Sequence, residues 1–298
     1  MLTSSIEGVL DVERFGPAEG SPDLVIEVPH GATETQDYLR LEARLQGEQP
    51  ADLVAFFHVN TDVGAPELAT SVASKLSARG VAVLVLRCRV PRTFVDTNRR
   101  LDTDPGLAET NAVSGRITPG LAPWLTQPED QALLVELHRQ YTLAVEAVLA
   151  DALPQAGLLL LHSYAPRSVD VEVTERIVDD LRAAYEPDKA ETWPLRPPID
   201  LIHRLPDGRS LQPVGFFEAL NRAFDGVELV GDNLSYPLHP VTMAHGHAIR
   251  WPGRVVCLEV RRDLLADPFV PLKPVRISSR KVDRLARPLT DVVEARLL

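Results

Sequence analysis

The chain has 298 residues, of which 45% are hydrophobic and 24% are charged, an ordinary globular composition with enough residues to bury a large core. The net charge of −11 argues against nonspecific binding to nucleic acid or to an anionic membrane. No apolar run approaches the ~20 residues needed to span a bilayer, and residues 1–7 lack the basic and apolar regions of a secretory signal. We therefore expect a cytoplasmic protein in which residues 1–298 form one domain.

Short apolar runs alternate with helical patterns along the chain. The predicted strands are Leu24–Val28, Leu53–His58, Val81–Arg87, Gly157–Leu161, Ile199–His203, Val227–Val230 and Arg254–Val260. The predicted helices are Pro66–Ala78, Asp130–Ala152, Val173–Tyr185, Val214–Phe224 and a last helix from about Ser279. Strands that alternate with helices predict an α/β protein with a mainly parallel sheet covered on both faces.

Two segments lack clear periodicity. Residues Asp102–Pro128 are rich in Pro and Gly, and a loop of this length is uncommon unless it is functional. We expect it to cover or wall the site. Residues Pro187–Pro198 are linker-like, and neither segment is long enough to indicate a separate domain. The two cysteines, Cys88 and Cys257, lie in apolar runs and are expected to be reduced core residues.

Polar side chains stand at the ends of predicted strands. His30 follows the first strand and His162 follows the most apolar one, so both are expected at the carboxyl edge of the sheet, where α/β proteins bind ligands. Two histidines and a carboxylate predict a zinc site with an open position. The carboxylate is either Glu34 or Asp62, although Asp62 could instead cap the helix that begins near Pro66. His58 is expected in the core or behind the ligands.

A cluster of arginines follows the next strand. Arg92 and Arg99 each offer a planar fork of donors that matches a carboxylate, and Asn98 adds an amide donor. Asp96 lies between them and is expected to orient one of the arginines. The alternative is a purely structural Arg–Asp network.

Glu259 lies in an apolar strand, where an ionised carboxylate is costly unless it is paired or functional. It is either a general base with a raised pKa or a structural partner of Arg261. His245 and His247 flank Gly246, which favours a loop; one of the two is expected to contact substrate, and the alternative is solvated surface. The chain has no G-x-S-x-G, Walker or H-E-x-x-H motif.

These residues resemble the N-formylglutamate amidohydrolase family, which has a zinc-carboxypeptidase-like (phosphorylase/hydrolase-like) fold. The matching stretches are Pro29-His30-Gly31, Asp62–Ala65, Arg92 with Val95–Arg99, His162-Ser163 and Leu258–Val260. The resemblance implies a three-layer α/β/α sandwich, one Zn²⁺ per chain, and hydrolysis of an N-acyl amide next to a carboxylate.

The resemblance also implies a role for each matched residue. His30 and His162 would bind the metal, with Asp62 favoured over Glu34 as the third ligand. Asn98 and Arg99 would hold the substrate carboxylate. The implied catalytic residues are Arg92, which would polarise the amide carbonyl, and Glu259, which would be the base.

The chain departs from the family pattern in two places. Leu160-Leu161 stands where an Asp usually precedes the His-Ser pair, and Asn233–His247 replaces a segment rich in Gly and Tyr. The expected substrate is therefore a small anionic N-acyl amino acid, N-formylglutamate-like but not restricted to it. A carboxypeptidase-like peptidase and a non-catalytic relative that binds a small carboxylate are the alternatives. A deep closed pocket would favour an acyl amino acid, and an open groove would favour a peptide.

Overall fold

The computed structural model describes residues 4–101 and 120–298. Seven strands within these residues form one sheet: β1 (Leu10–Phe15), β2 (Leu24–Val28), β3 (Val83–Cys88), β4 (Gly157–Tyr164), β5 (Ile199–Ile202), β6 (Val230–Asp232) and β7 (Val255–Arg261). The helices are α1 (Thr35–Glu42), α2 (Leu53–Asn60), α3 (Ala65–Ser77), α4 (Pro128–Ala152), α5 (Ile177–Ala184), α6 (Pro187–Ala190), α7 (Phe216–Ala223), α8 (Met243–Arg250) and α9 (Ser279–Arg296). None of the helices in these residues is both long and apolar enough to cross a membrane.

The sheet is mixed and its centre is parallel. Its strand order is β1-β3-β2-β4-β7-β5-β6. Strands β3, β2, β4 and β7 run parallel to one another, β1 is antiparallel to β3, and β5 is antiparallel to β7. This arrangement confirms the predicted α/β class with a mainly parallel mixed sheet.

Helices cover both faces of the sheet. Along β4, Leu158 and Leu160 enter one hydrophobic cluster while Leu159 and Leu161 enter the other, as the two-residue period of a strand requires. The first cluster also contains side chains of α1, α2, α4, α5 and α8, and the second contains side chains of α3, α7 and α9. The molecule is therefore a three-layer sandwich, as predicted.

The prediction of a strand over Leu53–His58 is wrong, because Leu53–Asn60 is helix α2. This segment is apolar at nearly every position and thus shows neither a two-residue nor a 3.6-residue period. Its side chains are buried on several sides, among them Leu53, Ala55, Phe56 and Phe57. An apolar run of this length fits a buried helix as well as a buried strand, and tertiary packing decides between them.

Several element boundaries also differ from the prediction. Strand β4 continues to Tyr164, so His162 and Ser163 lie within it. Strand β6 begins at Val230, where the predicted strand Val227–Val230 ends. Helix α8 contains both His245 and His247, which the sequence placed in a loop. Strand β1, helix α1 and the short helix α6 were not predicted. Of the predicted covering loop, residues 102–119 lie outside the described residues, and α4 begins at Pro128.

Candidate metal centre and active site

Three buried side chains converge at the carboxyl edge of the sheet. His30 lies two residues past β2, His162 lies in the neighbouring strand β4, and Asp62 follows α2. The Asp62 Oδ2 atom is 3.3 Å from His30 Nδ1 and 3.0 Å from His162 Nδ1. One ligand atom from each of the three residues lies within 4.8 Å of the other two, and each side chain is at most 3% exposed. The donor set can thus close around a single ion.

Asp96 fixes the orientation of the His30 ring. Its Oδ1 atom lies 2.8 Å from His30 Nε2. If His30 binds a metal through Nδ1, Nε2 carries the ring proton and donates it to Asp96, because a carboxylate accepts hydrogen bonds. A carboxylate behind a histidine is the usual way in which proteins orient a metal ligand and increase its basicity.

The donor set fits a catalytic zinc ion. Two imidazole nitrogens and one carboxylate oxygen are the ligands of many catalytic zinc sites, which leave the fourth position for water or substrate. Burial alone would raise the pKa of the Asp62 carboxyl, but His30 and His162 hold it below its ordinary value in the metal-free site. Arg262 lies behind it, with Nη2 3.6 Å from Asp62 Oδ1.

The structure distinguishes between Glu34 and Asp62, the two carboxylates that the sequence offered as the third metal ligand. Glu34 is 56% exposed, and its Oε1 atom is 3.1 Å from Arg87 Nη2, so it lies outside the cluster. Asp62 does not cap α3 through its side chain, because the N-cap of α3 is Gly64 and no side chain caps it. Asp62 therefore remains the candidate third ligand.

Glu259 lies beside the cluster on the next strand. It is paired in register with His162, and both share the strand face of Cys257 and Leu160, so they project to the same side of the sheet. Burial raises the pKa of Glu259 to about 7. Its Oε2 atom is buried and has no hydrogen-bond partner among the described residues. Arg261 does not pair with it, because the Arg261 guanidinium bonds to Asp263 at 2.8 and 3.1 Å.

Asp96 also holds the two candidate substrate arginines. Its Oδ2 atom accepts a 3.0 Å hydrogen bond from Arg92 Nε and lies 3.9 Å from Arg99 Nε. Burial alone would raise the pKa of Asp96, but Arg92, His30 and Arg99 hold it well below its ordinary value. Asn98 faces α8, where its Oδ1 atom accepts a 3.3 Å hydrogen bond from the Ala244 amide. The arrangement is compatible with a substrate clamp formed by the arginines and Asn98. It is equally compatible with the purely structural Arg–Asp network that was the alternative from the sequence.

The other histidines of the sequence analysis lie outside the metal cluster. His58 is buried in α2, with its ring against Phe57. His247 is 1% exposed and lies 3.8 Å from Glu27 Oε2, within the core rather than on solvated surface. His245 is half-buried near the start of α8.

Sequence reasoning missed two residues at this site. The Arg196 guanidinium carbon lies 5.0 Å from the centre of the Tyr164 ring and 5.4 Å from that of the Tyr236 ring. Arg196 and Tyr236 line a cavity of about 190 Å³ that Arg92 and Asp96 also line. Both missed residues lie in irregular segments away from the strand ends, so the pattern that revealed the histidines could not reveal them.

Comparison with known proteins bears on both the fold and the family. The family model for N-formylglutamate amidohydrolase matches residues 22–266. An N-formylglutamate amidohydrolase from Ralstonia eutropha JMP134 superposes with a TM-score of 0.54 at 19% identity, over 95% of this chain and 98% of that one. A gene product from Agrobacterium tumefaciens superposes with a TM-score of 0.52 at 15% identity, over 96% of this chain and 94% of that one.

Among curated proteins none matches. The two solved structures support the fold, and the family match spans every segment that contributes to the site, from His30 to Glu259. This chain belongs to the N-formylglutamate amidohydrolase family.

Proposed function

We propose that this protein is a zinc-dependent amidohydrolase that cleaves the amide of a small anionic N-acyl amino acid similar to N-formylglutamate. The convergence of His30, Asp62 and His162, with Glu259 in register on the adjacent strand, is the observation that carries the proposal. It places a three-ligand donor set beside a carboxylate whose Oε2 atom is buried and has no hydrogen-bond partner among the described residues. Membership of the N-formylglutamate amidohydrolase family supports hydrolysis of this class of amide.

Glu259 would act as the general base. A bound zinc ion lowers the pKa of water and polarises a carbonyl. Glu259 accepts a proton from the attacking water and delivers it to the amine nitrogen as the C–N bond breaks. Burial makes this carboxyl hold a proton more readily than a solvated one, which suits a group that receives a proton from water and passes it to the amine.

Arg99 and Asn98 would bind the α-carboxylate, and Arg92 would stabilise negative charge on the carbonyl oxygen. Asp96 contributes by fixing both arginines before substrate arrives, so little rearrangement is needed on binding. The cation of Arg196 adds positive potential at the same cavity, which favours an anionic substrate.

The size of the cavity favours an acyl amino acid over a peptide. Its volume of about 190 Å³ is below the ~300 Å³ at which pockets for drug-sized ligands begin. A non-catalytic relative would have no need of Glu259, since a buried carboxylate oxygen without a hydrogen-bond partner is costly to keep.

The decisive experiment combines metal analysis with a substrate panel. Purified protein should contain one zinc ion per chain and should release free amine from N-acyl amino acids. The His30→Ala/His162→Ala double variant should lose both properties while retaining its fold by circular dichroism. A double variant that still holds stoichiometric zinc would refute the metal site, and a zinc-replete wild type that is inactive on the whole panel would refute the activity.

A further inference from the structure

The cavity beside Arg92 continues into a region lined by apolar side chains. We call this region the apolar lobe; its walls are Phe56 and Val59 of α2, Ile177 and Leu181 of α5, and Val171 and Val173 of the segment between β4 and α5. In that segment, Val169, Val171 and Val173 are partly buried against the core, while Asp170 and Glu172 are exposed. The alternation shows that the segment turns its valines toward the cavity.

Two polar side chains that line the same cavity, Thr93 and Arg167, have hydrogen-bond partners within the chain. Thr93 Oγ1 donates a 3.0 Å hydrogen bond to Asn60 Oδ1. Arg167 Nη1 donates to the Trp193 carbonyl oxygen at 2.7 Å. A ligand in the lobe is therefore not required to supply hydrogen bonds to these two groups, and burial of its apolar surface adds binding energy there.

The cavity meets the candidate reaction centre at Arg92 and Asp96, whereas His30, Asp62, His162 and Glu259 are not among its lining residues. Asp96 holds Arg92 and Arg99, but of these two arginines only Arg92 lines the cavity, together with Asp96 itself. Asn98, the other clamp residue, is also absent from the lining within the described residues. In an N-acyl amino acid, the α-carboxylate and the acyl chain lie on opposite sides of the scissile bond. A carboxylate held at Arg99, with the carbonyl at Arg92, directs the acyl chain into the lobe.

We infer that the apolar lobe binds an apolar acyl group longer than formyl, so that the preferred substrates carry a short fatty acyl chain. The inference rests on the proposed amidohydrolase function and deepens it by naming the acyl class. It predicts that selectivity depends on acyl length.

An acyl series on one amino acid tests this selectivity. The N-formyl, N-acetyl, N-butyryl and N-hexanoyl derivatives of glutamate are compared by kcat/KM, which should rise by up to about fourfold for each added methylene until the lobe is full. An N-succinyl derivative, of similar length but with a charged end, should be cleaved more slowly than the butyryl one. A kcat/KM that is flat or falls with acyl length, or a preference for succinyl, would overturn the inference.

A filling substitution locates the effect in the lobe. Val171→Phe should abolish the preference for longer acyl groups while N-formyl cleavage continues. Val214→Phe is the matched control, because Val214 is 94% exposed and does not line the cavity. Melting temperatures identify any misfolding of Val171→Phe; in that case Val171→Ala, which widens the lobe, should shift the optimum to a longer chain. A folded variant at position 171 with the wild-type acyl profile would count against the lobe.

Binding of product acids separates failure of the lobe from failure of the proposed activity. If zinc-loaded protein hydrolyses none of the derivatives, the activity is wrong, and the lobe is then tested by calorimetry with hexanoate and acetate. Tighter binding of hexanoate, lost in Val171→Phe but kept in Val214→Phe, supports the lobe as an acyl site. Equal binding of the two acids rejects it.

Discussion

The carboxylate of Asp96 should control metal affinity without contacting the metal. Asp96→Asn keeps the size of the side chain but leaves an NH₂ group where one oxygen accepted a hydrogen bond. The Oδ1 atom accepts from His30 Nε2 at 2.8 Å and from the Asn98 amide at 2.9 Å, while Oδ2 accepts from Arg92 Nε at 3.0 Å. The amide oxygen should stay with His30 and Asn98, because this orientation sacrifices one hydrogen bond rather than two.

The expected loss of zinc affinity follows from that orientation. His30 keeps its hydrogen bond but loses the negative charge behind it, so its Nδ1 atom becomes a weaker donor. Loss of such a partner typically weakens metal binding 10- to 100-fold, which equals about 1.4 to 3 kcal/mol. Competition with a chromophoric chelator measures this zinc Kd directly.

A second buried aspartate provides the control. Asp37 lies on α1, outside the metal cluster, and accepts a 2.7 Å hydrogen bond from Arg89 Nη2. Asp37→Asn therefore makes the same chemical change at a buried Arg–Asp pair, and it should leave the zinc Kd unchanged. If both variants bind zinc as tightly as wild type, Asp96 does not act on the metal site.

Further predictions concern single residues. Glu259→Gln should keep zinc and the melting temperature but lose about 10²- to 10⁴-fold in turnover; an active, zinc-replete variant would rule out the base. Arg99→Lys should raise KM, because an ammonium cannot reproduce the planar fork, and an unchanged KM would contradict the clamp. Asp62→Asn should abolish tight zinc binding whereas Glu34→Gln should not, and the reverse result in metal analysis would exchange the two ligands. Burial raises the pKa of Glu27 from 4.5 to about 7. The contribution of protonated Glu27 to the free energy of unfolding is therefore fully present below pH 4.5 and is lost as the pH rises through 7. In denaturant titrations, Glu27→Gln should therefore have a higher free energy of unfolding than wild type above pH 7, by at most about 3 kcal/mol, and the same free energy of unfolding at pH 4. A difference that does not depend on pH would show that Glu27 does not titrate as described.

The sequence predicts the central strands and two of the clustered residues well for a simple reason. Strand β2 and the first part of β4 are almost entirely apolar. The polar side chains that come next along the chain, just past β2 and near the end of β4, mark the sheet edge. His30 and His162 stand at those places, so their proximity follows from parallel neighbouring strands. Asp62 was expected after a strand but follows helix α2, and it reaches the cluster all the same.

Helix α8 shows why the His245–His247 region was misjudged. Gly246 suggested a loop, yet a Cβ at this position would meet nothing within 4 Å, so no packing contact requires glycine there. The better signal was Thr242, whose side chain accepts a hydrogen bond from the His245 amide and caps the helix. A threonine N-cap can be recognised from the sequence, but Gly246, four residues later, was given more weight.

Contacts between distant segments could not be predicted from local patterns. Arg262 approaches Asp62 only because β7 ends beside α2, and Arg196 reaches the cavity only because its segment packs across Tyr164 and Tyr236. Such contacts depend on the residue at which each helix or strand ends, and sequence patterns do not locate these ends to within one residue.

The string Asp96-Thr97-Asn98 acts as one structural unit because its three consecutive side chains bond to different parts of the chain. Asp96 is hydrogen-bonded to His30, and Thr97 Oγ1 donates a 2.7 Å hydrogen bond to the Pro29 carbonyl oxygen. Asn98 Oδ1 accepts a hydrogen bond from the Ala244 amide in the first turn of α8. The loop is thereby fixed to the end of β2 on one side and to α8 on the other. Because Arg92 and Arg99 flank this unit and contact Asp96, the proposed substrate clamp and the proposed metal ligand His30 share one carboxylate. A displacement of Asp96 should therefore disturb metal and substrate binding together, whereas a change at Arg99 alone should disturb only substrate binding.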